Sequence, residues 1–180
     1  MARLAICILG AWLAAALPAH AAPAGGSESE QSLAAINGAR AAMIEVLNKA
    51  PLGFRRILFV KDVPDGFGAY TPRGNNVFAP EEPLIIYSEP IGVAWKQDGD
   101  EYSSKLVVDF EIRSPDGQVL AGQKGFGEFA LKAREQPLDY MSHIKLDVTG
   151  APPGSYVLGL TIHDSNSGKS MSTDLPFEIK

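Results

Sequence analysis

Between Leu106 and Arg113 the side chains change character at almost every step. Leu106, Val108, Phe110 and Ile112 are apolar, and they alternate with Val107, Asp109, Glu111 and Arg113. A period of two belongs to a β-strand with one face on a core and the other in water. The same period returns at 56–60, at Leu84 to Tyr87 and on to Trp95, at Phe126 to Leu131, and through Ile144, Leu146 and Val148. Two further runs close the chain: Tyr156, Leu158, Leu160 and Ile162, then Leu175, Phe177 and Ile179. Ser114-Pro115-Asp116-Gly117 has the residue order of a tight hairpin turn, and turn residues also fill 150–154 and 164–168. Pro90 and Gly92 break the second run, which predicts a bulge or an edge position. Strands in series with no helix between them exclude a parallel α/β architecture. They predict an all-β, antiparallel sandwich or barrel of seven to eight strands.

Ahead of the strands the period is 3.6. Leu33, Ile36, Met43, Ile44 and Leu47 fall at helical spacing, Ser27 and Ser29 are alternative N-caps with Glu30 placed for a capping box, and Pro51 with Gly53 ends the segment. The helical stripe is expected to pack on the sheet domain, or else to recruit a partner. Earlier still, Arg3, an apolar run from Leu4 to Leu17, Pro18 and Ala19-His20-Ala21 have the order of a secretory signal peptide. The run is shorter than the roughly 20 residues a membrane span needs, so no membrane span is expected. The division is therefore signal peptide at 1–21, linker and helix at 22–53, and sheet domain at 54–180, with the mature chain periplasmic or secreted after cleavage near Ala21.

Cleavage at that point removes the sole cysteine, Cys7, and with it disulfides, thiol catalysis and thiolate metal sites. It also removes Arg3, taking the formal net charge from −5 to −6. The longest basic run is then Arg55-Arg56, so nucleic acid is excluded as an expected partner.

The segment Pro153-Gly154-Ser155-Tyr156-Val157-Leu158 is similar to the start of the sixth strand of immunoglobulin-like domains, with Leu158 where a core cysteine often stands. Gly66-Phe67-Gly68-x-Tyr70, Val77-Phe78-x-Pro80 and Leu84-Ile85-Ile86-Tyr87 look like segments of uncharacterised exported bacterial β-sandwich proteins. The resemblance covers about Phe54 to Lys180. It implies an immunoglobulin-like β-sandwich with a back-bonded tyrosine at Tyr156, and it carries no activity. Trp95 lacks the cysteine framework of an antibody-type domain.

Several residues could carry chemistry. His163-Asp164 could be a base beside its orienting carboxylate, or a strand end followed by an Asx-type turn. Met141, His143, His163 and Met171 are the soft and imidazole ligands of a possible copper-type metal site, methionine being otherwise a filler of cores. Tyr70, Arg73 and Asn75 form a polar loop able to bind a glycan or peptide, or simply to connect strands. Gly122-x-x-Gly125-x-Gly127 lacks the strand and helix of a phosphate loop and predicts bulges or a wide hairpin turn. Asp98, Asp100 and Glu101 share the D-x-D spacing of a calcium loop but have a glycine between the aspartates and no correctly placed glutamate or flanking helices, so they predict an acidic hairpin tip, with a low-affinity Ca²⁺ contact as the alternative. With no catalytic residue and no cofactor indicated, the expectation is a non-catalytic binding or assembly module acting through protein or glycan contacts, with a metal-binding protein as the alternative. Its partner would be a protein or a cell-envelope component, and self-association into a homo-oligomer is also open.

Overall fold

The computed structural model describes residues 27–180, so the expected signal peptide and cleavage point lie outside the described residues. Helix α1 (Glu28–Lys49) precedes nine strands: β1 (Gly53–Phe59), β2 (Val77–Phe78), β3 (Leu84–Ile91), β4 (Lys96–Asp98), β5 (Glu101–Arg113), β6 (Val119–Ala133), β7 (Ser142–Leu146), β8 (Gly154–Asp164) and β9 (Ser170–Ile179). Among these residues no helix is long and apolar enough to cross a membrane.

The strands form two sheets. One has the order β1-β3-β7, and the other the order β2-β9-β8-β5-β4, with β6 paired to β5. The chain is thus mostly β, as the alternation requires. Short β2 runs parallel to β9 and makes the second sheet mixed, where an all-antiparallel arrangement was expected. The hairpin at 114–117 joins β5 to β6, with the Gly117 N–H donating to the Ser114 carbonyl at 2.9 Å.

One core fills the space between the sheets. Leu84, Ile86, Ile144 and Leu146 meet Leu106, Val108, Leu158, Leu160, Ile162, Phe177 and Ile179, all buried. On β8 the buried residues are the even-numbered ones from Tyr156 to Asp164, so the odd-numbered ones face outward. Tyr156 Oη donates to the Pro152 carbonyl at 2.6 Å, which is the back-bond that the tyrosine-corner resemblance implies.

Helix α1 has the expected Ser27 cap, whose side chain accepts from the Glu30 N–H while the Glu30 carboxylate accepts from the Ser27 N–H. The expected packing of its stripe on the sheet domain is not found. No helix residue is buried, and Leu33, Ile36, Met43 and Val46 stand more than half exposed. Attachment is polar instead: Arg40 Nη2 donates to the Gln136 carbonyl at 2.6 Å, and the side-chain amides of Asn48 and Gln136 bond each other. Of the stripe only Ile44 and Leu47 are half-buried, so apolar contact is confined to the C-terminal turns of the helix.

Candidate functional site

The outer face of the larger sheet is where the charged half of the alternation collects. Register places Asp109 of β5, Thr161 of β8 and Ser172 of β9 in one cross-strand row. The next rows hold Val107, His163 and Ser170 on one side, and Glu111, Gly159 and Asp174 on the other. These positions are scattered over 68 residues of sequence and become neighbours only through strand pairing.

Gly159 leaves the middle of this face without a side chain. Arg113 occupies the space above it: a β-carbon at 159 would stand 2.8 Å from Arg113 Nη2 and 3.4 Å from Cζ. The guanidinium reaches across β8 to pair with Asp174, and its Nε is buried without a partner among the described residues. The result is an open groove of about 550 Å³ with Glu111, Asp174, Thr161 and Ser172 along its sides and Lys124 at its β6 rim. Carboxylates outnumber cations there, and both stand beside hydroxyls. Such a lining offers donors and acceptors together in a shallow trough.

At one end of the groove three polar side chains form a chain. Asp109 Oδ1 accepts from the Gly125 N–H at 2.7 Å, Asp109 Oδ2 lies 2.9 Å from His163 Nε2, and His163 Nδ1 lies 2.7 Å from Ser170 Oγ. Gly125 can aim its amide because it sits in the expected bulge of β6 with φ of 60°, a left-handed backbone that favours glycine. That N–H bond, followed by His163 and Lys124, holds the Asp109 carboxyl below the ordinary carboxylate range despite partial burial. An ionised Asp109 only accepts, so Nε2 carries the imidazole hydrogen and Nδ1 is left to accept from Ser170. Beside this chain the Thr161 and Ser172 hydroxyls bond each other at 2.8 Å.

The partner expected for His163 was Asp164, and the structure supplies Asp109 instead. Consecutive residues of a strand point to opposite faces. Asp164 therefore turns inward, is buried, and accepts from the N–H groups of Ala94 at 2.7 Å and Asn166 at 2.9 Å, forming the Asx-type turn.

The four soft-ligand residues do not converge. His143 lies opposite Tyr87 on the outer face of the smaller sheet, and Met141 packs on the apolar cluster there. His163 is on the outer face of the other sheet, while Met171 pairs with Ile162 and packs on the core between them. No group of three or more histidine, cysteine or acidic residues able to hold a metal occurs among the described residues.

The polar loop residues are engaged within the protein. Tyr70 stacks on buried Tyr87 with ring centroids 4.2 Å apart. Arg73 grips both carboxylate oxygens of Glu82 and the Val77 carbonyl, and its guanidinium lies 4.0 Å over the Phe78 ring. Asn75 Oδ1 accepts from the Val77 N–H at 3.1 Å. These contacts fasten the 61–76 connection to the frame. The acidic tip is likewise paired, with Asp100 on Arg134 and Glu101 on Lys132.

No protein family and no curated protein matches the sequence. Among solved structures the chain is similar to the C-terminal domain of Wzt, with a TM-score of 0.44 and 10% identity over 73% of this chain and 75% of that one. It is also similar to the Pseudomonas fluorescens alkylpurine DNA glycosylase AlkC bound to DNA containing an abasic site analog, with a TM-score of 0.40 and 15% identity. That match covers 86% of this chain and 44% of the other. Since one fold can host many functions, what this chain does must be read from its own side chains.

Proposed function

We propose that the chain is an exported, periplasmic or secreted binding module on an immunoglobulin-like frame, and that its outer-face groove holds a hydroxyl-rich ligand, a glycan of the cell envelope. The observation that carries this reading is the glycine-floored trough in which Arg113 reaches over Gly159 to pair with Asp174, with Glu111 also along the lining. Sugar hydroxyls both donate and accept. Glu111 and Asp174 accept from them, the Arg113 and Lys124 cations donate, and the Thr161 and Ser172 hydroxyls do either. The excess of carboxylates favours neutral or amino sugars over acidic ones.

Gly159→Ala tests the trough directly. The added methyl meets the mobile end of Arg113, so the guanidinium shifts while the strand remains. Titration calorimetry with neutral, amino and acidic oligosaccharides is expected to show the first two binding more tightly than the acidic ones. The variant is expected to lose about tenfold or more in affinity, a change of about 1.4 kcal/mol, with an unchanged melting temperature. Equal binding by the variant, or preference for acidic sugars, would contradict the reading.

A further inference from the structure

We infer that Ser170 is an acyl-accepting nucleophile, activated by His163, and that this face acts on O-acyl esters. The geometry is that of a nucleophile, a base and an orienting carboxylate in one hydrogen-bonded line, drawn from β9, β8 and β5. Asp109 fixes the tautomer that leaves Nδ1 basic, and the Gly125 N–H fixes Asp109. Ser170 is exposed at the first position of β9, and the His163 ring is two-fifths exposed, so an ester can reach both. Asp109, Thr161 and Ser172 also line the groove, which places the hydroxyl of Ser170 one cross-strand row from it.

The step balances without any cofactor. Ser170 Oγ attacks the ester carbonyl carbon as its proton passes to His163 Nδ1, and the imidazolium is paired with Asp109. The carbon–oxygen bond to the leaving alcohol then breaks, and that alcohol takes the proton from Nδ1. Water repeats the sequence on the acyl-serine, releasing a carboxylic acid and restoring the Ser170 hydroxyl. Ser170 and His163 touch the reacting atoms, whereas Asp109 is a positioning residue. The natural substrate class, an O-acylated glycan, rests on the groove reading; the acylation of Ser170 does not.

The test uses p-nitrophenyl acetate on the full chain, with the acetylated residue located by peptide mass mapping. Acetyl is expected on Ser170, formed about a hundredfold faster than in His163→Gln and absent from position 170 in Ser170→Ala, both checked for an unchanged melting temperature. Asp109→Asn is expected to slow labelling about tenfold or more at an unchanged melting temperature, with partial rescue by Asp109→Glu, because the amide no longer holds the tautomer that leaves Nδ1 free to accept from Ser170. The other charges on this face are Glu111, the Arg113–Asp174 pair, Lys124 and the Lys105–Glu128 pair, and all are retained in that variant. Acetyl spread over lysines with none preferred at Ser170 in the wild-type chain would overturn the inference whatever the variants do. So would labelling of Ser170 in Asp109→Asn at the wild-type rate. The acetate probe needs no groove ligand, so failure to acylate and failure to bind oligosaccharides are read separately.

Discussion

At the scale of single residues, side-chain direction decided more than residue type. His163 next to Asp164 reads as a pair in the sequence, yet a strand sends neighbours to opposite faces, and the histidine's carboxylate came from a residue 54 positions away. The alternation of β5 already showed Asp109, Glu111 and Arg113 on one side. What it could not show was the register that sets them against Gly159, Thr161 and Ser172, since register depends on turn geometry and core packing together. Arg73 reads in the sequence as a loop residue able to meet a ligand or as part of a plain connection between strands, and its side chain is a clamp that is 17% exposed. Arg73→Ala is expected to lower stability in urea unfolding by about 1.5–3 kcal/mol, the usual cost of losing hydrogen bonds to a charged group. The same substitution is expected to return the Glu82 carboxyl, now held low chiefly by its hydrogen bond to Arg73, to the ordinary range.

At the scale of elements, period separated helix from strands correctly, and the Ser27 capping box, the hairpin at 114–117 and the β6 bulge stood where turn and cap chemistry placed them. Short β2 and the parallel pairing with β9 were not legible, because two residues carry no period. Amphipathic spacing also overstated the burial of α1. A helix with no buried residue, held through Gln136, should open separately from the sheets. Hydrogen exchange is expected to show α1 amides exchanging well before those of β5 and β8. Gln136→Ala should speed α1 exchange about tenfold further, since the lost hydrogen bonds contribute about 0.5–1.5 kcal/mol each. Equal protection in α1 and β8 would mean that the helix is packed more firmly than its exposure indicates.

At the scale of the whole molecule, two sheets share one apolar core, and carboxylates at two separate places, Asp109 on the outer face of the larger sheet and Glu82 beside Arg73, are held by hydrogen bonds that favour their ionised form. The Asp109 and Glu82 carboxyls titrate lower in the folded chain than in the unfolded one. A depressed folded pKa contributes stability that is fully present above the unfolded value, about 4, and is lost as pH falls through the folded value. The melting temperature is therefore expected to hold between about pH 7 and pH 5 and to fall below about pH 4. Asp109→Asn with Glu82→Gln should flatten that fall.

The central claim is that the outer face of the larger sheet, and not the 61–76 loop, receives the ligand. An amide chemical-shift titration of the isotope-labelled chain with the neutral oligosaccharide bound best in calorimetry tests it most directly. The expected result is a continuous patch of shifted amides at Glu111, Arg113, Gly159, Thr161 and Asp174, with Tyr70, Arg73 and Asn75 unmoved. Shifts confined to the loop or to α1, with that patch silent, would contradict the account.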